Sequence, residues 1–252
     1  MINKIFNDDC FSVFPLIAEK SVDLVVVDLP YGQTACEWDK KIDLEQMWKQ
    51  LERIGKDNCQ YVFFTTTKFG FELIYSKPKW FRYDLVWEKM SIVGFLQSKK
   101  MPLRKHEMIY VFSNPSKKGK VYNPQKTKGE PYINKRTNKL ATETYGNYKN
   151  TPTENLTGDR YPTSILHFNH NHYKNRIHPT QKPIELCEWL VKTYSNENDL
   201  VLDFCMGSGS TIKACINTNR NYIGVEMDKE IFDKAEKSII EHLGTKKEEE
   251  KI

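Results

Sequence analysis

Two short strings of this 252-residue chain carry side chains that could do chemistry, and each begins on an acid that ends an apolar run. One is DLPYG, Asp28–Gly32, closing VDLVVVD; the other is DFCMGSGST, Asp203–Thr211, closing DLVLD. A third acid, Glu226, ends NYIGVE, nineteen residues after Gly207. Gly207 and Gly209 allow a tight turn and a close approach of backbone to a ligand where a helix begins. Glu226 is then placed to accept hydrogen bonds from two ribose hydroxyls. The full G-x-G-x-x-G of dinucleotide sites is absent, because Ile212 stands where the third glycine would fall. Asp203 would repel a pyrophosphate. It suits a ligand with an ammonium group, such as the methionine end of S-adenosylmethionine.

DLPYG has a chemistry of its own. The amino group of adenine or cytosine is a poor nucleophile, because its lone pair is delocalised into the ring. Two acceptors that bind its two hydrogens pull the nitrogen towards a tetrahedral shape and free the lone pair. Asp28 can supply one acceptor and the main-chain carbonyl of Pro30 the other, with the proline ring fixing φ in the turn. Tyr31 offers a flat face for a base swung out of a duplex. Catalysis would then rest on alignment and on acceptors waiting where positive charge develops. Taken alone, the string also reads as a strand, a helix cap and a turn. Its presence in one chain with the Gly207 loop favours the chemical reading.

These residues need elements to position them. Near-continuous Val/Ile/Leu runs read as strands covered on both faces, hence a parallel sheet flanked by helices. Further strands are expected at Gln60–Thr65, Tyr83–Trp87, Met108–Phe112 and Ile165–Phe168. Helical stripes run through Leu44, Met47, Trp48, Leu51 and Ile54 behind a capping Asp43, and through Ile184, Cys187, Leu190, Val191 and Tyr194. A third runs from Ile231 to Leu243 before a charged tail. Strands alternating with helices make a doubly wound α/β sheet, whose ligands bind beyond the carboxyl ends of the strands.

The segment from Asn114 to Arg160 breaks this pattern. It is polar and turn-rich, with ten Lys/Arg against four Asp/Glu, a net of +6 in a chain whose whole excess is +5. Tyr122, Tyr132, Tyr145, Tyr148 and Tyr161 are interleaved with those charges. Such a mixture can grip phosphates and stack on bases, or simply keep an insertion soluble. No apolar run approaches the ~20 residues that cross a bilayer. The six scattered cysteines form no C-x-x-C pair and fit a reducing cytoplasm. The group His167, His170 and His172 lacks a carboxylate or cysteine at ligand spacing, so no metal is expected.

Taken together, the motifs resemble the β-type amino methyltransferases of DNA, the N6-adenine/N4-cytosine family, in which the catalytic motif precedes the cofactor motif. FNDDCF (Phe6–Phe11) resembles the short N-terminal motif whose acid contacts the cofactor's adenosine, which points to Asp9 or Asp8, with Cys10 adjoining. RYDLVWEK and RKHEMIYVFSN resemble the stretches before the target-recognition region, and RNYIGVEMDKEIFDKAEKSI the ribose-binding strand and following helix. HPTQKPIEL (His178–Leu186) resembles the motif beside the cofactor, with Lys182 near the cofactor's carboxylate.

The resemblance implies a Rossmann-like fold in one α/β domain, residues 1–252, with a seven-stranded sheet in permuted order and residues 114–160 inserted for target recognition. It implies S-adenosylmethionine as cofactor, DNA as partner and a homodimer as an expectation. The expected catalytic residues are Asp28, Pro30 and Tyr31. The expected cofactor residues are Asp8, Asp9, Cys10, Asp28, His178, Lys182, Asp203, Phe204, Cys205, Gly207, Gly209, Ser210, Thr211, Glu226 and Met227. Leu29 stands where the family usually has proline. Cytosine-acting members more often have Ser at the place of Asp28, which favours N6 of adenine over N4 of cytosine. C5-cytosine chemistry needs a thiolate nucleophile, and none of the six cysteines follows a proline as in that family. A nicotinamide oxidoreductase is disfavoured by Ile212 and Asp203, and a dead DNA-binding module by the intact Asp28 and Gly207 loop.

Overall fold

Strand VDLVVVD shows why the sheet forms where it does. Leu24 and Val26 enter one apolar cluster while Val25 and Val27 enter another, and all four are wholly buried. Alternating side chains therefore feed two cores, one on each face, and each such residue is worth about 1.5–3 kcal/mol against exposure. A polar residue at Val25 or Val26 would leave an unpaired group in a dry core.

The computed structural model describes residues 2–32, 41–135, 139–142, 146–149, 153–168 and 181–249. Along the chain run β1 (Lys4–Asn7), α1 (Cys10–Val13), β2 (Val22–Asp28), α2 (Leu44–Ile54), β3 (Gly55–Thr65), α3 (Thr67–Ser76), β4 (Phe81–Val93) and β5 (Arg104–Ser113). Six short strands follow: β6 (Thr127–Lys128), β7 (Tyr132–Asn134), β8 (Lys139–Thr142), β9 (Gly146–Lys149), β10 (Thr153–Asn155) and β11 (Asp159–Arg160). The chain then runs through β12 (Ile165–His167), α4 (Ile184–Tyr194), β13 (Leu200–Asp203), α5 (Ser210–Asn217), β14 (Asn221–Glu226) and α6 (Lys229–Glu249).

The main sheet has the order β1-β14-β13-β2-β3-β5-β4-β12. Its eight strands are one more than the expected seven: the strand expected at Ile165–Phe168 is the edge strand β12, parallel to β4, and the strand not expected from an apolar run is β1. The first strand of the chain lies beside the last, and β13 pairs parallel with both β14 and β2. This is the permuted order in space. Only β5 runs antiparallel to its neighbours, so β4 points the same way as β2 and β3. One apolar cluster joins the sheet to α4, α5 and α6, and the other joins it to α1, α2 and α3.

Helix α2 starts where the sequence places its cap: Asp43 accepts from the Gln46 N–H at 3.0 Å, and the Gln46 amide donates back at 2.8 Å. Helix α3, only weakly amphipathic, had no clear sequence signal, while β4 and β5, expected at Tyr83–Trp87 and Met108–Phe112, run well beyond those apolar cores into an exposed hairpin.

The chain divides into two compact units, residues 1–123 with 164–252, and Pro124–Thr163. Residues 114–123 of the polar segment thus count with the main unit, where Asn123 N–H bonds the Thr193 carbonyl at 2.8 Å and Lys117 pairs with Asp57 at 2.8 Å. The second unit consists of the antiparallel pairs β7–β10, β6–β11 and β8–β9. No helix among the described residues is long and apolar enough to cross a membrane.

Candidate active site

Connections leave the sheet in opposite directions from the adjacent strands β13 and β2: β13 leads through α5 to β14, and β2 through α2 to β3. That reversal opens a crevice at the carboxyl ends of the two strands. Asp203 ends β13, Asp28 ends β2 and Glu226 ends β14. Three acids far apart in sequence therefore reach one edge.

Asp28 is held from two sides. The Tyr31 hydroxyl donates to its Oδ1 and the Lys182 ammonium to its Oδ2. Burial first, then the Asp28 carboxylate, pushes the Tyr31 phenol well above its ordinary range, which keeps it a donor. The Tyr31 ring lies 5.2 Å from that of Phe69 at a 40° tilt. Pro30 and Leu29 lie in the same turn, and Leu29 is buried in the core below.

Lys182 joins Asp28 to a residue the sequence patterns do not single out. Its ammonium lies 3.4 Å from Glu107 Oε2 on β5, and Glu107 Oε1 accepts from Lys89 of β4 at 2.6 Å. Burial acts to raise the Glu107 carboxyl, but the Lys182 and Lys89 ammoniums outweigh it and hold it at about 2. Burial acts to lower Lys182, and Asp28 and Glu107 reverse that and hold it above its ordinary range. Glu107 and Lys182 are thus both charged at neutral pH. Glu107 and Lys89 could not be joined to Lys182 from sequence, because Lys182 lies 75 residues beyond Glu107 and only the fold brings them together.

The glycine loop sits on the other side of Asp203. Gly207 and Gly209 both adopt positive φ, at 50° and 76°. A Cβ on Gly207 would meet nothing within 4 Å, whereas one on Gly209 would strike Ile239 of α6 at 2.7 Å. Gly207 thus leaves space above the loop, and Gly209 allows α6 to pack against it. Glu226 accepts from the Gly207 N–H and the Asp228 N–H, each at 2.9 Å, and burial raises its carboxyl despite both bonds. Asp203 is almost fully buried. Burial pushes it up to about 7, against hydrogen bonds from Thr211 and the Cys205 N–H. The space above Gly207 is open beside the Glu226 carboxylate, and Asp203 lies buried at the end of the neighbouring strand β13.

Several other expected residues have structural roles here. Asp9 caps α1 by accepting from the Phe11 N–H at 2.7 Å, and Asp8 accepts from the Asp9 N–H at 2.7 Å. They follow β1, whose Asn7 pairs in register with Glu226. Cys10 is half-buried, and burial pushes its thiol up to about 12. Phe204 is a core residue, its ring 5.2 Å from that of Phe14, and Cys205 packs beside it. Ser210 donates to the Lys182 carbonyl at 2.8 Å, which ties the start of α5 to the Lys182 segment. Met227 is exposed just past β14. His178 lies outside the described residues, as do His170 and His172, while His167 pairs with Glu88 at 2.8 Å.

Comparisons with known proteins bear on the family and the fold. The model of the N6/N4 DNA methylase family matches residues 22–237. The type II methyltransferase M1.MboII of Moraxella bovis is 30% identical over 93% of this chain and 95% of that protein. The type II methyltransferase M.BglII of Bacillus subtilis is 28% identical over 92% of this chain and 67% of its own length. Among solved structures, the M1.HpyAVI–SAM complex superposes with a TM-score of 0.66 at 22% identity, covering 93% of this chain and 97% of that one. The PvuII DNA methyltransferase, described as cytosine-N4-specific, gives 0.65 at 14% identity over 97% and 92%. The two structures are alike in fold, and the family match decides the class: this chain belongs to the N6/N4 DNA methylase family and is a site-specific, S-adenosylmethionine-dependent DNA methyltransferase.

Proposed function

We propose that the enzyme methylates N6 of adenine, with Asp28 and the Pro30 carbonyl as the two acceptors for the amino hydrogens. The observation that carries this reading is the Asp28 carboxylate, oriented at the carboxyl end of β2 by donors from Tyr31 and Lys182. A carboxylate here, where cytosine-acting relatives more often have serine, favours adenine. Holding it still before the base arrives lowers the cost of alignment in the transition state. S-adenosylmethionine supplies a methyl carbon made electrophilic by its sulfonium. The chain's part is to hold it. Glu226 is proposed to accept from ribose hydroxyls, Asp203 to face the ammonium, and Gly207 to leave the backbone open to the ligand. Asp8, Asp9, Cys10 and His178 extend the proposed cofactor contacts.

The unit Pro124–Thr163 is proposed as the target-recognition region. Cations and rings are already paired within it: Arg160 lies 4.8 Å from the Tyr132 ring and Lys126 4.8 Å from that of Tyr161. The type II relatives extend the proposal to a role in restriction–modification. Mass analysis of nucleosides from DNA of cells expressing the protein is the direct test. N6-methyladenine is the expected product, and N4-methylcytosine in its place would overturn the assignment to adenine.

A further inference from the structure

The hairpin that joins β4 to β5 is long, basic and apolar at once. From Lys89 to His106 it holds five Lys/Arg and no Asp/Glu. Large apolar side chains that elsewhere fill cores stand in solvent here: Met90, Ile92, Phe95, Leu96 and Met101 are each more than half exposed. The tip is nevertheless an ordered turn. Gln97 N–H bonds the Gly94 carbonyl at 2.9 Å, and Lys100 N–H bonds that of Gln97 at 2.8 Å.

Its direction follows from the topology. Since β4 runs parallel to β2, the end of β4 leaves the sheet at the edge where Asp28, Asp203 and Glu226 lie. The base of the hairpin is part of the site, through the Lys89–Glu107 pair and the contact of Glu107 with Lys182. Arg104 is close enough for its charge to oppose the rise of the Tyr31 phenol. Lys89 and Lys105 are neutralised at that base by Glu107 and Glu88. Lys99, Lys100 and Arg104 have no carboxylate partner among the described residues.

We infer that this hairpin is a second DNA-contacting element, separate from Pro124–Thr163, with Lys99, Lys100 and Arg104 on phosphates and the Phe95–Leu96 tip against bases beside the target. The substrate of the family is a polyanion, and the charge of the hairpin is complementary to it. Cations without partners meet phosphates by releasing counterions, and an exposed apolar tip gains burial only against something apolar, such as the faces or edges of bases. The inference rests on DNA methylation but not on which base is modified.

The test uses the full chain, a duplex carrying the methylated word and anisotropy in a salt series. The pair Lys99→Gln with Lys100→Gln is expected to flatten the slope of log affinity against log salt by about 1.8, since each phosphate that a lysine neutralises adds about 0.9 to it. The pair Phe95→Ser with Leu96→Ser is expected to weaken target binding about tenfold or more while leaving that slope unchanged. Cofactor affinity, read by calorimetry, should stay within about twofold in both. Wild-type DNA binding and salt slope in both variants would overturn the inference. So would a serine variant that turns a dimer into a monomer in sedimentation, because the tip would then cover a second copy of the chain. If the serine variant fails to bind cofactor, the lysine pair decides alone. A product other than N6-methyladenine leaves this test intact, since anisotropy reads only the duplex.

Discussion

The main unit and the Pro124–Thr163 unit are held together differently. The main unit buries nearly every residue of β2, β3 and β13 between two apolar clusters. Among the residues 124–135 and 153–163 of the second unit, Gly158 alone is buried. Its order comes from short antiparallel pairs and from polar contacts, such as Asn155 donating to the Asp159 carbonyl at 2.6 Å and Arg160 to the Gly158 carbonyl at 2.9 Å. A dry core holds acids at strand ends with fixed geometry, which catalysis needs. A polar unit leaves its side chains in reach of solvent, which the proposed role in reading a DNA surface needs.

The strongest way to break this comparison is to remove the second unit. Replacing Pro124–Thr163 by a Gly/Ser linker should lower discrimination between target and random duplex by about 10³-fold or more, since specific binding exceeds non-specific binding by at least that factor. Cofactor affinity should stay unchanged, because Asp203, Gly207 and Glu226 all lie in the main unit. Methylation of the same word at the original rate would show that recognition lies elsewhere.

Asp28→Ala tests the other half. Turnover should fall by about 10²–10³-fold, as for a lost transition-state group, and the melting temperature should fall as well, because the buried Lys182 ammonium loses a partner. A folded variant with near-normal transfer would sink the acceptor role. Glu226→Ala should weaken S-adenosylmethionine binding by about 1.5–3 kcal/mol, as for a hydrogen bond to a charged group. Calorimetry that finds no change would place the ribose away from β14.

The smallest effect sharpens the contrast in dielectric. Burial raises Asp203 to about 7, so the folded chain keeps a proton that the unfolded chain releases near pH 4. The stability this group contributes is complete below the unfolded pKa and is lost as pH rises through about 7. Asp203→Asn does not titrate. The melting temperature of the cofactor-free variant should therefore gain on the wild type between pH 4 and pH 8, by about 2–4 °C for each kcal/mol. The same variant should bind the cofactor less well at pH 8. Parallel melting curves across that range would show that Asp203 is ionised throughout.

Much of this arrangement is legible in the residues themselves. The acids that end VDLVVVD, DLVLD and NYIGVE, the glycine turn and the helix behind Asp43 follow from local rules of burial, φ and capping, each acting over a few residues. Parallel strands with covered faces also follow, because apolar runs without alternation need a core on both sides. What needed the tertiary structure is whatever depends on distant neighbours. The Lys182 ammonium on Asp28, its reach to Glu107, and the buried state that raises Asp203 have no local signal. The edge strand β12 falls where the apolar run Ile165–Phe168 predicts a strand, but its parallel partner, β4, is decided by the fold. The β4–β5 hairpin is legible as a basic stretch, but its place on the active edge comes from the direction of β4. Periodicity reports which face of a segment is dry. It carries no information about which charge, 75 or 154 residues away, will be packed against it.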